Sequence, residues 1–274
     1  MPQELTGRVA IVTGAGRGFG KAIAMRFAEE GAAVAVSARN RSQLDEVVAE
    51  IRGAGGRALA VPGDVTRADD VDRVVSATEA ELGPVSLLVS NAGTPGPFGP
   101  LWSVDRDTWW AAQQVHILAP FLYLQRVLPG MTARRTGRVI LVSAIATRIV
   151  APYLSAYCVG KIAQTRLAAE AAAETRDSGV SVFAIDPGFV FTGIAAETMN
   201  SPDAQRWLPG MVGRLRELKD SPKRDADLTR CAQRCVDLAS GRYDGLSGRY
   251  LELSDDLGAL LREAASTASG GAAH

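Results

Sequence analysis

Only two of the 274 residues are histidine, and one of them is the last. A histidine-rich metal site is therefore excluded. Three cysteines, Cys158, Cys231 and Cys235, cannot all pair within one chain. Reduced thiols in the cytoplasm are the simpler expectation. Net charge is absent too, since 30 basic and 30 acidic side chains balance. That leaves no electrostatic footprint for nucleic acid or for an anionic membrane. No apolar run approaches the roughly 20 residues of a spanning helix. No basic patch precedes an apolar stretch at the N-terminus, so no signal peptide is expected. Aromatic residues make up only 6%, so the 47% apolar content is mainly aliphatic. A chain of this length and composition suits one large globular domain.

Short β-branched apolar runs punctuate the chain: 9–12, 33–36, 58–61, 87–89, 139–142 and 180–185, with a seventh at 249–253. The first six are mainly continuous, which fits strands buried on both faces of a parallel sheet. Between them lie helical patterns, at about 18–30, 41–53, 67–82, 105–134, 154–177 and 223–240. Leu44, Val47, Val48 and Ile51 show the spacing of three and four. The alternation predicts an α/β fold with a Rossmann-type, doubly wound parallel sheet of about seven strands and helices on both faces. Residues 1–263 form one domain in this reading. Prolines at 202, 209 and 222 mark 193–222 as an inserted, partly helical lid. The small-residue tail 264–274 is expected to be disordered. Cys231 and Cys235, four apart on a predicted helix, lack further ligands, so packing is favoured over a metal site.

The first strand runs into Thr13-Gly14-Ala15-Gly16-Arg17-Gly18-Phe19-Gly20 and then a helix. A glycine-rich turn at a helix N-terminus can cradle a pyrophosphate with backbone N–H groups and the helix dipole. The end of the second strand, where an NAD site usually carries an acid, reads Ser37-Ala38-Arg39-Asn40. Arg39, with Arg17 closing from the glycine loop, suits the 2′-phosphate of NADP, although both could be solvated surface residues.

With these residues the chain resembles the classical short-chain dehydrogenase/reductase family, from about residue 5 to 255. The glycine pattern matches TGxxxGxG, and Asp64-Val65 matches the aspartate facing the adenine. Asn91-Ala92-Gly93 matches the NAG turn, and Tyr157 to Lys161 matches YxxxK. Pro187-Gly188, followed by Val190 and Thr192, matches the PG motif beside the nicotinamide. The resemblance implies Tyr157 as acid/base, with Lys161 holding the ribose and lowering the tyrosine pKa. Physical chemistry agrees on the pairing, since residues i and i+4 share a helix face and an ammonium favours a phenolate. It also implies a homodimer or homotetramer through the helices at 105–134 and 154–177, with Leu122, Leu124, Ala168 and Ala172 as candidate contact positions.

Two positions depart from the pattern. The family serine thirteen residues before the tyrosine is Ala144 here. Ser143 is adjacent, but neighbouring strand residues face opposite ways. Losing one preorganised donor costs about 10²–10³ in rate. Thr147, Ser155, Tyr153 or the substrate could compensate. His116 stands where the family has asparagine. It is either a packed residue in a kinked helix or a replacement donor or acid. Pro120 has no N–H for the carbonyl of His116, four residues back. The segments 94–102, 145–153 and 193–222 supply an apolar lining, suiting a hydrophobic or aromatic substrate. The expectation is an NADP(H)-dependent oxidoreductase. Non-redox isomerisation, dehydration or cyclisation on the same scaffold is the alternative, or an NADP-binding protein with little catalysis.

Overall fold

The fold is taken from a computed structural model that describes residues 3–221 and 225–270. Strand and helix alternate as β1 (Val9–Thr13), α1 (Gly18–Glu29), β2 (Ala33–Ser37), α2 (Arg41–Gly53), β3 (Arg57–Ala60), α3 (Ala68–Glu81) and β4 (Leu87–Ser90). There follow α4 (Arg106–Gln113), a π-helical turn (Gln114–Leu118), α5 (Ala119–Ala133), β5 (Gly137–Val142), α6 (Ser155–Glu174) and β6 (Val180–Ile185). Three lid helices come next: α7 (Gly193–Asn200), α8 (Pro202–Trp207) and α9 (Pro209–Lys219). The chain continues through α10 (Ala226–Ala239), β7 (Tyr250–Leu251) and α11 (Leu257–Gly270).

The seven strands form one parallel sheet in the order β3-β2-β1-β4-β5-β6-β7. Alternation along each strand feeds two cores. Ala10 and Val12 of β1 face a core built with Ile23 and Phe27 of α1, Leu44 and Ile51 of α2, and Cys231, Cys235 and Val236 of α10. Ile11 faces the opposite core, with Val71 and Val74 of α3, Tyr123 and Met131 of α5, and Ala168 of α6. A sheet coated on both faces needs apolar side chains at every strand position, which is why these runs are continuous rather than alternating. The order reverses between β1 and β4, and the carboxyl ends of the strands open there into a cleft.

Several local features differ from the expectation. The stretch 105–134 is three segments, not one helix. Pro120 carries no N–H, and just before it the backbone widens so that the Ala119 N–H reaches Gln114 O, five residues back. Residues 264–270, expected to be disordered, continue α11, where Leu257, Leu260, Leu261 and Ala264 pack on the first core. The alanines here favour the helix, and the packed face anchors the segment. Residues 271–274 lie outside the described residues, as do 222–224, which hold Pro222 of the lid and the start of the helix expected from 223. The lid is more helical than anticipated, with Pro202 and Pro209 each at the first turn of a helix. Leu124, Ala168 and Ala172 are buried inside the protomer and Leu122 is partly buried. The exposed apolar positions of this face are Trp110, Phe121, Val159 and Ile162. Cys231 and Cys235 are core residues, and among the described residues no metal-binding group of three side chains exists. Among the described residues no helix is long and apolar enough to cross a membrane.

Candidate active site

The glycine loop is shaped for close backbone approach. Gly18 opens α1 at φ +57°, where a side chain would strain the backbone. At Gly20 a Cβ would stand 2.4 Å from Gly14 O and 2.6 Å from Asn91 Nδ2. The loop is therefore locked against β4, with the α1 N-terminus facing the cleft. The Thr13 hydroxyl accepts the N–H groups of Asn91 (2.9 Å) and Ala92 (3.1 Å), and Asn91 Nδ2 donates back to Thr13 O. These contacts tie the ends of β1 and β4 together at the switch point.

The cleft beside the loop measures about 780 Å³. Gly14, Arg17, Gly18 and Phe19 form its floor, and Asn91, Ala92 and Gly93 one wall. Arg39, Asp64 and Val65 line the far end, and Thr192 the near end. An open cradle of this size, floored by a glycine loop and a helix N-terminus, fits a dinucleotide. Arg39 is exposed and has no ion-pair partner among the described residues. Arg17 is engaged elsewhere. Its Nη2 pairs with Glu197 of α7 at 2.8 Å, and its guanidinium fills the space over Gly193. Asp64 Oδ1 accepts the N–H and hydroxyl of Thr66, which holds the turn after β3.

Some expected cofactor residues do not line the cleft. Ser37 is fully buried on the α5 side of the sheet near Tyr123, because Val36 already takes the opposite face. Its contribution is the carbonyl that receives the Ala15 N–H at 3.2 Å. Gly20 sits under the loop. Gly188 packs against Asp227, and Pro187 and Val190 are buried in the turn after β6. Of this turn only Thr192 reaches the cleft.

Tyr157 and Lys161 stand one turn apart on α6, with Lys161 Nζ 5.7 Å from the phenol ring centroid. The His116 ring meets Tyr157 edge-on at 5.5 Å. This cluster adjoins the cleft through Thr94, whose carbonyl contacts His116 Nε2 at 2.8 Å. Nε2 must donate there, so Nδ1 is an acceptor, and it is buried without a partner. Burial first, then the Lys161 charge, lowers the imidazole pKa to about 3. His116 is therefore a neutral ring near pH 7, and the reading of it as a titrating acid does not fit. Gly160 exists for this ring: a Cβ there would stand 2.5 Å from His116 Cβ.

Lys161 Nζ donates to Val142 O (2.7 Å) and Gln164 Oε1 (3.1 Å), and burial lowers its pKa to about 7. The tyrosine moves against expectation. Burial first, then the neighbouring Asp186 carboxylate, pushes the phenol well above its ordinary value. Ser143 turns away from the site and donates to Lys161 O at 2.9 Å, as alternation requires. Ala144 is extended and nearly buried, with no hydroxyl to offer. Ser155 Oγ is engaged by Trp109 Nε1 (3.2 Å) and Tyr153 packs on Trp207, while Thr147 buries its hydroxyl beside Tyr250. The polar group next to Ala144 is Asp186, whose Oδ1 accepts the Ile145 N–H at 3.1 Å. Nothing in the sequence before Pro187-Gly188 singles Asp186 out. Gln164 was missed as well, since a glutamine within an alanine-rich helix carries no signal of being fully buried.

A family model described as short chain dehydrogenase matches residues 8–203. The chain belongs to the short-chain dehydrogenase family. A short chain dehydrogenase of Pseudocercospora fijiensis is 36% identical over 95% of this chain and 84% of its own length. A 3-oxoacyl-[acyl-carrier-protein] reductase of Synechocystis is 33% identical over 75% of this chain and 83% of its own. Among solved structures, a short-chain type dehydrogenase/reductase from Mycobacterium marinum superposes with a TM-score of 0.79 at 26% identity, covering 92% of this chain and 95% of that one. NAD+-bound xylitol dehydrogenase gives the same TM-score and identity over 90% and 98%. The sheet and its helices are those of the family. As a short-chain dehydrogenase the chain is an oxidoreductase that uses a nicotinamide cofactor.

Proposed function

We propose that this short-chain dehydrogenase is NADP(H)-dependent and interconverts a carbonyl and an alcohol on a hydrophobic or aromatic small molecule. One observation carries the reading: the Tyr157–Lys161 pair adjoins a cleft whose far end presents an unpaired Arg39, with no acid at the end of β2. A 2′-phosphate there would meet Arg39 through a charge-assisted pair. Arg17 would join it only by releasing Glu197. The NAD+ of the xylitol dehydrogenase neighbour belongs to that protein.

The nicotinamide supplies or accepts the hydride when bound. Tyr157 donates its phenolic proton to the carbonyl oxygen, or takes it from the carbinol in reverse. Burial keeps that proton in place near neutral pH. Lys161, buried and with its pKa lowered to about 7, would hold the ribose and return a proton to the phenol on turning from Val142 O and Gln164 Oε1. The rim supports a hydrophobic substrate: Ile145, Ile149, Val150 and Phe189 are exposed, Val150 at 94%. Met199, Leu208 and Met211 of the lid pack with Phe98, Leu154 and Tyr157, so the lid covers the reacting side. The exposed Trp110, Phe121, Val159 and Ile162 suit a homodimer or homotetramer.

Titration with NADPH and NADH, followed by nicotinamide absorbance with aryl ketones, tests the reading. NADPH should bind more tightly, and ketones should consume it. Equal affinity for NADH overturns the cofactor choice. Turnover without an absorbance change would move the chain to non-redox chemistry.

A further inference from the structure

Asp186 is a half-buried carboxyl with no cation beside it among the described residues. Its Oδ1 accepts N–H groups from Ile145 (3.1 Å) and Gly188 (3.4 Å), which holds the loop after Ala144 against the turn after β6. Its Oδ2 has no hydrogen-bond or ion-pair partner among the described residues, and it is not sealed from solvent. The acidic neighbours Glu252 and Asp227 are each paired, with Arg148 and Arg230. Asp186 alone is uncompensated. An asparagine would hold the same two N–H groups without a charge. A half-buried unpaired charge is unfavourable, and the architecture of the turn gives it no purpose. Asp186 also stands near enough to Tyr157 to disfavour the phenolate.

The family plan puts a hydroxyl donor at Ala144. Here the neighbouring polar atom is a free acceptor. We propose that Asp186 Oδ2 reads a hydrogen-bond donor, a hydroxyl or an ammonium, on the carbon next to the one that reacts, so that the substrate is an α-hydroxy or α-amino carbonyl compound or the corresponding alcohol. This rests on the carbonyl–alcohol reading of the site. The substrate brings the donor that the chain lacks. A simple ketone gains nothing from Asp186, because two acceptors would face each other.

The test compares acetophenone, α-hydroxyacetophenone and α-aminoacetophenone on the NADP(H)-loaded protein, by binding calorimetry and by nicotinamide absorbance. The wild type should prefer a donor-bearing probe over acetophenone by about tenfold or more, the range of one hydrogen bond to a charged group. The amine arm separates an ammonium from a neutral hydroxyl. D186N keeps the acceptor for Ile145 and turns the free position into a donor. It should abolish the preference or invert it toward acetophenone. D186A should abolish it, and where that variant fails to fold, D186N alone decides. A wild type without preference, or a D186N protein that keeps it, overturns the proposal. A binding preference that persists without any change in nicotinamide absorbance instead breaks the carbonyl–alcohol reading and leaves the role of Asp186 standing.

Discussion

The two ends of the cleft are built by different means. At the cofactor end, the ligand surface is mostly backbone: the glycine loop, the start of α1 and the turn at Asn91 to Gly93. Sterics allow little there, since a methyl group at Gly20 would collide with Gly14 O. At the reacting end, the surface is side chains, and each can be exchanged while the fold remains. Ala144, His116 and Asp186 all sit in this half, beside an ordinary Tyr157 and Lys161. The cofactor end thus constrains backbone geometry, whereas the chemistry of the reacting end lies in side chains.

The sharpest way to break this contrast is Tyr157→Phe. If the reacting half still centres on this phenol, turnover should fall by about 10²–10⁴ while NADPH affinity stays within a few fold. Activity that survives would show that the chemistry had drifted away from the tyrosine altogether. Next comes Ala144→Ser, which restores the family donor. For acetophenone a rate gain of up to about 10²–10³ is expected. A smaller gain follows if Asp186 captures the new hydroxyl, and D186N in the same background should then release it.

At the cofactor end, Arg39→Ala should weaken NADPH binding by roughly tenfold to a hundredfold and leave NADH unchanged. Fluorescence titration of both nucleotides reads this. An equal loss for both would make Arg39 a general surface charge. Gly160→Ala probes the packing beneath the site. Overpacking against His116 should cost about 1–3 kcal/mol by denaturant unfolding. Combined with His116→Ala, the loss should be less than the sum of the two single effects, because the colliding ring is gone.

The last effect appears only in acid, in the pH dependence of stability. His116 titrates near 6.5 when unfolded and about 3 when folded, so between these values the unfolded state binds the extra proton. Its contribution is complete above pH 6.5 and is lost as pH falls toward 3, with a slope of at most about 1.4 kcal/mol per pH unit. His116→Gln should flatten the acid limb relative to wild type. Parallel acid limbs would mean that His116 is open to protonation in the folded protein.

Much of the architecture was readable from local pattern. The runs at 9–12 and 180–185 could only be strands with both faces covered, and Leu44 to Ile51 only an amphipathic helix. The glycine loop was readable because φ > 0 and close approach select one residue type. Other features depended on distant partners. Arg17 looked like a phosphate ligand until α7 brought Glu197 to it, 180 residues on. Leu124, Ala168 and Ala172 looked like contact positions because composition does not say which face of a helix meets the sheet.

Sequence alone determined the order of strands and helices, the glycine loop and the Tyr157–Lys161 pair, since each rests on contacts within a turn or a strand. Tertiary structure decided what stands beside Ala144. Ile145 and Asp186 are 41 residues apart, and they meet only because β5 and β6 pair in parallel with Val142 opposite Ile185. That register carries both strand ends to the same edge of the sheet, where one carboxyl oxygen holds the loop and the other is left free.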